Sequence, residues 1–198
     1  MIRTGIYGGS FNPIHNGHIA IAKAMLQDGS LDEVWLMVSP QNPLKRAGDL
    51  LDDRLRLDMA RRAVDGMAGI TACDYEFSLP RPSYMWDTLQ ALSRDWPDRQ
   101  FTLLIGADNW ACFDRWHRAA DIIAHYPIAI YPRRGCDIDA RTLPPTVRLA
   151  DTGLHDVSST EVRELIRRGG DPSALIPPQI AADAVRYYRD AEKGCPAR

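Results

Sequence analysis

Short apolar runs alternate with segments of helical spacing along most of the chain, and this alternation constrains the fold more than any other feature. The run at residues 34–38 is apolar without interruption, as is typical of a parallel strand covered on both faces. Strands are predicted at residues 2–7, 34–38, 70–72, 101–106, 128–131 and 147–149. Helices are predicted at residues 18–27, 51–64, 83–96, 118–125, 158–168 and 177–189. The alternation predicts an α/β fold in which a doubly wound parallel sheet lies between two layers of helices, three layers in all.

The length and composition predict a single domain of ordinary globular character. The chain has 198 residues, and residues 1–198 contain no linker long enough to divide them. The part from about residue 158 onwards is predicted to form its helical C-terminal section. With 24 basic and 26 acidic residues the formal net charge is −2, a balance that argues against a nucleic-acid partner or a membrane surface.

The cysteines and the apolar segments bear on where the protein works. The four cysteines Cys73, Cys112, Cys136 and Cys195 are far apart and form no C-x-x-C pair, which predicts reduced thiols in a cytoplasmic protein. The chain opens directly on a predicted strand, without the pattern of a signal peptide. No apolar run approaches the roughly 18 residues that a membrane-spanning helix requires, so no membrane association is expected.

Chemically suggestive residues follow the predicted strands. They lie at residues 8–18, 39–46, 106–109 and 157–163. Ligands of open α/β sheets bind beyond the carboxyl ends of the strands, where the strand order reverses. These four segments are therefore expected to surround one ligand cleft.

The segment at residues 8–18 reads Gly-Gly-Ser-Phe-Asn-Pro-Ile-His-Asn-Gly-His. Its glycines let the backbone approach a ligand closely, and Pro13 stiffens the turn. His15 and His18 share a face if the helix begins near His15, where unpaired N–H groups and the helix dipole favour a phosphate. The plainer alternative is that both histidines only cap the helix, while a metal pair would need a third ligand that the sequence does not supply. The whole combination favours phosphate binding.

The segment at residues 157–163, Val-Ser-Ser-Thr-Glu-Val-Arg, is a second candidate for phosphate binding. A hydroxyl residue followed by an acid at the start of an apolar helix is a capping pattern, and capping alone would explain it. Arg163 lies one helical turn after Ser159, however. Hydroxyls, backbone N–H groups and a guanidinium would then converge on one oxyanion.

Together these motifs resemble those of a known family. The pattern G-x-F-x-P-x-H-x-G-H marks the nucleotidyltransferases with the H-x-G-H signature, and its form here is similar to that of the bacterial nicotinate-mononucleotide adenylyltransferases. Similar segments follow at residues 42–45 (Asn-Pro-Leu-Lys), 82–89 (Pro-Ser-Tyr-Met-Trp-Asp-Thr-Leu) and 105–108 (Ile-Gly-Ala-Asp), with Trp116 beyond. The resemblance implies a Rossmann-like nucleotidyltransferase fold. It also implies an enzyme of NAD biosynthesis that joins ATP and nicotinate mononucleotide to give deamido-NAD and pyrophosphate.

The resemblance further implies the residues of the site. Catalysis would fall to His15, His18 and Lys45. The substrate ATP would be bound by Gly8, Gly9, Ser10, Phe11, His15, His18, Gly106, Arg133, Ser158, Ser159, Thr160 and Arg163. Nicotinate mononucleotide would be bound by Asn12, Lys45, Ser83, Tyr84, Met85, Thr88, Asp108 and Trp116. A Mg²⁺ ion would be carried by the ATP phosphates, with no metal site built by the protein.

Besides the mild substitutions Val157 and Val162 in the family's I-S-S-T-x-I-R motif, two positions depart from the family pattern. Met85 stands where the family has threonine, so a backbone donor is kept but a hydroxyl contact is not. Leu44 stands where many relatives have histidine, next to Lys45, one of few lysines in an arginine-rich chain. For Arg46 and Arg133, a binding role and a plain surface position both stay open.

Several alternatives remain open at this point. The chain could instead be a relative that uses nicotinamide mononucleotide or phosphopantetheine, a cytidylyltransferase, or a catalytically silent nucleotide-binding module. A silent module would be expected to have lost a histidine or the second phosphate motif. His117, His125 and His155 are predicted to be surface or core residues, and Trp110 to be structural. The sequence leaves open whether the chain forms a homo-oligomer.

Overall fold

The computed structural model describes residues 1–40 and 50–190 and joins six strands in one sheet. The strands are β1 (Ile2–Gly9), β2 (Glu33–Val38), β3 (Ile70–Cys73), β4 (Arg99–Gly106), β5 (Ile128–Tyr131) and β6 (Val147–Leu149). Their order is β3-β2-β1-β4-β5-β6, and each neighbouring pair is parallel. The predicted doubly wound parallel α/β fold is confirmed.

Helices connect the strands as the periodicity predicted. They are α1 (Asn16–Gln27), α2 (Asp53–Val64), α3 (Met85–Asp95), α4 (Ala107–Trp110), α5 (Ala119–His125), α6 (Ser159–Arg167) and α7 (Pro178–Asp190). All six predicted helices are present, and their ends differ from the prediction by a residue or two, as fraying ends usually do. Within the described ranges, no helix combines the length and the apolar character that crossing a membrane requires.

The side chains of each strand alternate between two apolar clusters, one on each face of the sheet. On β2, Val34 and Leu36 join the cluster that contains residues of α1, α2, α6 and α7. Trp35 and Met37 point the other way, into the cluster that contains residues of α3 and α5. Because both faces are covered, β2 has no solvent side, which explains its unbroken apolar run. The sheet is thus the middle of three layers.

The two C-terminal helices complete the first of these layers. Val162 and Ile166 of α6 and Ile180 of α7 are fully buried in the same cluster as α1 and α2. An ion pair of 2.7 Å between Arg62 of α2 and Asp183 of α7 adds a polar contact at the edge. The helical section from about residue 158 therefore shares its core with the N-terminal half of the chain.

The strand order reverses at β1, which has β2 on one side and β4 on the other. The sheet extends from β1 through β2 to β3 in one direction, and through β4 and β5 to β6 in the other. Loops that leave the carboxyl ends of β1 and β4 therefore diverge to opposite faces and open a crevice.

The periodicity missed the shortest elements, two of which lie within residues 107–117. Helix α4 has 4 residues, and a 3₁₀ helix at Phe113–Arg115 has 3. Neither is long enough to show a hydrophobic period. Trp110 stacks on Phe113 with ring centroids 5.2 Å apart and packs against the second apolar cluster, a position that fits the structural role predicted for it.

Candidate active site

An open cleft of about 1310 Å³ lies at the carboxyl ends of the central strands. Ligand pockets usually measure about 300–1,000 Å³, so this cleft has room for two substrates side by side. Most of the described residues that the sequence singled out line it. They are Gly8, Gly9, Ser10, Phe11, Asn12, His15, His18, Ser83, Tyr84, Met85, Asp108, Trp116, Arg133, Ser158, Ser159, Thr160 and Arg163.

The two histidines of the first motif cap α1 reciprocally. His15 is the N-cap, and its Nδ1 accepts from the backbone N–H of His18 at 3.3 Å. The backbone N–H of His15 donates in turn to Nδ1 of His18 at 3.2 Å, and the rings stack with centroids 3.5 Å apart. An accepting Nδ1 places the proton of a neutral ring on Nε2. Both rings therefore act as caps and also carry an Nε2–H donor within the cleft lining.

The electrostatic surroundings keep His15 uncharged. Burial, together with the nearby positive charge of Arg133, lowers its pKa to about 3. His15 is 2% exposed, so the cost of stripping water from an imidazolium accounts for most of this shift. Before ligands bind, His15 is thus a neutral hydrogen-bond donor rather than a cation.

This lowered pKa predicts a pH dependence of stability. The pKa of an unfolded histidine is about 6.5. Below about pH 6.5 the unfolded state therefore binds a proton that the folded state does not bind. The free energy of unfolding is expected to fall as the pH drops from about 6.5 towards 5, by up to about 1.4 kcal/mol per pH unit from His15 alone. Urea unfolding of wild type and His15→Asn over this pH range measures the dependence. Asparagine is chosen because its side chain can still accept from the backbone N–H of His18. If the unfolding free energy changed with pH by the same slope in both proteins, this would contradict the assignment of the pH dependence to His15.

The second motif docks directly on the first. Ser158 is the N-cap of α6, and its hydroxyl accepts from the backbone N–H of Glu161 at 3.1 Å. The Ser159 hydroxyl donates to the carbonyl of Pro13 at 2.9 Å, and the Arg163 guanidinium donates to the carbonyl of Asn12 at 2.7 Å. The positive ends of α1 and α6 therefore flank the same part of the cleft.

Asn12 ties the first motif to two more elements. Its side-chain Oδ1 accepts from the hydroxyl of Tyr188 in α7 at 2.7 Å and from the backbone N–H of Leu51 at 3.2 Å. Burial raises the pKa of Tyr188, so this hydroxyl stays a donor. Asn12 therefore holds the loop between β1 and α1 against the C-terminal helices.

Arg56 of α2 is a buried guanidinium beneath the first motif. It donates to four backbone carbonyls, those of Leu51 (2.8 Å), Ser39 (2.9 Å), Pro40 (3.1 Å) and Ser10 (2.5 Å). Burial lowers its pKa from that of a free arginine. Arg56 thereby joins the end of β1 to the end of β2 and turns the carbonyl of Ser10 towards itself.

A buried carboxylate organises the other end of the cleft. Glu76 accepts from the hydroxyls of Ser83 at 2.9 Å and Thr88 at 3.0 Å. Burial raises the pKa of Glu76, and the hydroxyl donors act against that rise. Met85, at the start of α3, packs its methyl group against Gly8, where a Cβ would lie 2.9 Å from it.

Aromatic residues enclose the same end. Trp116 lines the cleft half-buried, and its indole N–H has no hydrogen-bond partner within the described residues. The next residue, His117, packs on Tyr84 with ring centroids 4.8 Å apart. His117 and His155 both line the cleft, whereas the sequence had predicted plain surface or core positions for them.

Arg133 lies inside the cleft rather than on the outer surface. Its side chain is 26% exposed, its guanidinium lies 5.2 Å from the Tyr131 ring centre, and its Nε is 3.8 Å from Asp108. A Cβ at Gly106 would overlap the carboxylate of Asp108, so the glycine makes room for the protein's own side chains. A contact of its backbone with ATP stays a prediction.

Two other outcomes concern the predicted residues. Thr88 is fully buried behind the cleft lining, so its hydroxyl serves Glu76 rather than a ligand. Lys45 and its neighbours Leu44 and Arg46 lie outside the described residues.

Sequence reasoning missed the buried polar residues under the site. Arg56 did leave a signal, because it occupies the apolar stripe of α2 one turn before Met59 and Ala60. Tyr188 likewise lies in the buried stripe of α7, four residues after Ala184, whereas Glu76 left no signal of this kind.

The described part of the chain contains no group of three or more histidine, cysteine, aspartate or glutamate side chains arranged to hold a metal ion. Of the cleft acids, Glu76 is bonded to hydroxyls and Asp156 to Arg134. Asp108 is about half exposed and faces the open cleft.

Comparison with known proteins identifies relatives along nearly the whole chain. A family model described as cytidylyltransferase-like matches residues 6–165. A probable nicotinate-nucleotide adenylyltransferase of Bacteroides fragilis is 44% identical over 178 residues, covering 90% of this chain and 89% of the relative. The protein of the same name from Bacteroides thetaiotaomicron is 43% identical, covering 96% of this chain and 94% of the relative.

Solved structures show the same fold at lower identity. The nicotinic acid mononucleotide adenylyltransferase of Plasmodium falciparum, complexed with NaAD, superposes with a TM-score of 0.81 at 20% identity, over 97% of this chain and 98% of that one. A putative nicotinate-nucleotide adenylyltransferase from Vibrio parahaemolyticus gives a TM-score of 0.71, also at 20% identity, over 93% and 99%.

Proposed function

The chain belongs to the cytidylyltransferase-like family, and from that membership and its relatives we infer that it is a nicotinate-nucleotide adenylyltransferase of NAD biosynthesis. It joins ATP and nicotinate mononucleotide to give deamido-NAD and pyrophosphate. The observation that carries this inference is the docking of two phosphate motifs at one cleft. Ser159 and Arg163 bond to the carbonyls of Pro13 and Asn12, which brings the start of α6 beside His15 and His18.

In the reaction we propose, a phosphate oxygen of nicotinate mononucleotide attacks the α-phosphorus of ATP in line. The new P–O bond forms as the bond from the α-phosphorus to the bridging oxygen breaks, and pyrophosphate leaves with that electron pair. The attacking oxygen is already an anion, so no base has to remove a proton and no covalent enzyme intermediate is needed. Catalysis then consists of positioning and charge stabilisation.

The phosphate end of the cleft supplies the stabilising donors. The Nε2–H groups of His15 and His18 are proposed to donate to the α-phosphate and the leaving group. The hydroxyls of Ser158 and Ser159 are occupied by protein partners. The N–H groups at the start of α6, with Arg163, are therefore proposed to hold the β- and γ-phosphates. Lys45 is proposed to join them.

The metal we propose is Mg²⁺ bound to ATP. Oxygen ligands from phosphates and water suit this ion better than a protein cage, and Asp108 is a carboxylate that faces the cleft. When bound, the ion would offset part of the triphosphate charge.

The other end of the cleft is proposed to hold the pyridine ring. Trp116 offers a face for stacking, and the backbone N–H groups at the start of α3 suit the nicotinate carboxylate. The N-cap of α3, Tyr84, has no side-chain capping bond, so those N–H groups are not covered by a cap. Because the side chain of Met85 packs on Gly8, its contribution to the carboxylate is limited to the backbone.

We also propose that the enzyme works in the cytoplasm. Cys73, Cys112 and Cys136 are free thiols within the described residues, and thiols stay reduced in that compartment.

A pyrophosphate-release assay with purified protein tests the proposed function. ATP and Mg²⁺ are offered with nicotinate mononucleotide, nicotinamide mononucleotide or phosphopantetheine, and CTP replaces ATP in a parallel set. We expect the highest kcat/KM for ATP with nicotinate mononucleotide. A preference for phosphopantetheine would overturn the substrate, a preference for CTP would overturn the adenylyl transfer, and no pyrophosphate from any pair would favour a silent module.

A further inference from the structure

Glu76 is a buried carboxylate held by hydroxyl groups. It lies in a 3₁₀ helix at Tyr75–Ser78, between β3 and α3, and is 3% exposed at the edge of the cleft. Its Oε2 accepts from Ser83 and its Oε1 from Thr88, and the Ser39 hydroxyl is a further hydrogen-bond partner. None of the described arginines, lysines or histidines forms an ion pair with it.

These hydrogen bonds from hydroxyl groups hold side chains at the start of α3 in place. A carboxylate only accepts, so each hydroxyl hydrogen points at Glu76. The Thr88 hydroxyl also lies 3.2 Å from the carbonyl of Tyr84, which accepts from the Thr88 backbone N–H at 3.0 Å. Because a trans peptide points its C=O and N–H in opposite directions, the N–H of Met85 then points out of the helix start. Glu76 thus holds the side chains of Ser83 and Thr88, which lie on either side of this peptide at the pyridine end of the cleft.

The bonds of Glu76 also reach the sheet. Ser39 directly follows β2, and its backbone N–H donates to the carbonyl of Gly9 at 2.9 Å. Its own carbonyl accepts from Arg56. One carboxylate therefore connects the start of α3 with the end of β2, next to the first phosphate motif.

We propose that Glu76 is a positioning residue that holds the backbone N–H groups at the start of α3 where they recognise the carboxylate of the pyridine mononucleotide. The proposal rests on the proposed function. Glu76 acts through Ser83 and Thr88 and does not touch the reacting atoms. As an anion at the site of an anionic substrate, it would weaken binding if its charge acted directly. When the charge is removed, a positioning role therefore predicts a higher KM for nicotinate mononucleotide, whereas a direct charge effect predicts a lower KM.

The test compares Glu76→Gln with wild type and with Glu33→Gln. Glu33 is a matched control, since it is also a partly buried glutamate with a hydroxyl partner, Thr4, but it lies at the far end of the sheet. With Glu76→Gln we expect the KM for nicotinate mononucleotide to rise about tenfold, the size of one lost charge-assisted hydrogen bond. The KM for ATP should stay nearly unchanged, and the preference for the acid over nicotinamide mononucleotide should fall. Glu33→Gln should change neither KM.

Thr88 provides a second pair that leaves Glu76 in place. Thr88→Val removes the hydroxyl at constant shape and should raise the KM for nicotinate mononucleotide, whereas Thr88→Ser should recover most of the lost affinity. If Glu76→Gln fails to fold, this pair still tests whether the hydroxyl bond to Glu76 affects the binding of nicotinate mononucleotide.

Each other outcome counts against the proposal. A lower KM for nicotinate mononucleotide in Glu76→Gln would mean that direct charge dominates. Equal rises in the KM values for nicotinate mononucleotide and ATP would mean a general structural role. No change in either KM would mean that Glu76 has no role in binding. Wild type is measured first, so that its failure to use nicotinate mononucleotide overturns the proposed function together with this inference. If wild type uses nicotinate mononucleotide and the variant is unaffected, only this inference is overturned and the proposed function stands.

Discussion

Replacing His18 by alanine is expected to lower kcat by about 10²–10³-fold, the usual loss when one preorganised charge-stabilising donor is removed. The reason is geometric. Because Nδ1 of His18 accepts from the backbone of His15, the ring's proton lies on Nε2, the donor proposed for the developing phosphate charge. The KM for ATP should change much less than kcat, since this donor gains strength only as charge develops. Steady-state pyrophosphate release measures both constants.

Two further variants separate catalysis from capping. In His18→Asn the side-chain oxygen can still accept from the His15 backbone, so the cap survives while the Nε2–H is lost. We expect it to be as slow as His18→Ala but more stable to urea. His125→Ala serves as the control, because His125 bonds to a backbone carbonyl of α5 and does not line the cleft. Near-full turnover in His18→Asn would remove His18 from the mechanism.

Replacing Arg56 by methionine is expected to cost about 3–5 kcal/mol of unfolding free energy, the largest stability loss that we predict. Methionine fills a similar volume, so little of this loss comes from a cavity. It comes from the carbonyls of Ser10, Ser39, Pro40 and Leu51, which lose their shared donor while still buried or partly buried. Urea unfolding followed by circular dichroism gives the value.

The control for Arg56 lies on the same helix. Arg54 is exposed, so Arg54→Met should stay within about 0.5 kcal/mol of wild type. The folded fraction of Arg56→Met should also show a raised KM for ATP, since the carbonyl of Ser10 is no longer held away from the phosphates. Matching stabilities for the two variants would show that the four carbonyls find other donors.

The fold was predictable because its signals are local. The apolar run of β2 and the helical spacing of α2 each depend on residues a few positions apart, and both elements occur where expected. The helix that opens at Asn16 was predictable in the same way, from a stiff turn followed by His15. Helix α4 was not predictable, since 4 residues carry no period.

The candidate site was predictable as a set of motifs but not as a set of contacts. Most of the motif residues line the cleft, yet the sequence did not reveal that Ser83 and Thr88 donate to Glu76. Gly106 was predicted to bind ATP, and only the structure shows that its missing side chain makes room for Asp108. A motif specifies which residue types occur together, whereas hydrogen-bond partners depend on what the fold brings near.

By itself, the sequence determined the order and type of the elements, the two motifs proposed to bind phosphate, and the family. Only the tertiary structure decided which buried polar groups meet. The bonds of Arg56 to Ser10, of Ser159 to Pro13, and of Tyr188 to Asn12 span 46, 146 and 176 residues. The physical reason is that periodicity and capping act within a few residues, whereas a buried donor must pair with whichever acceptor the closed fold places beside it.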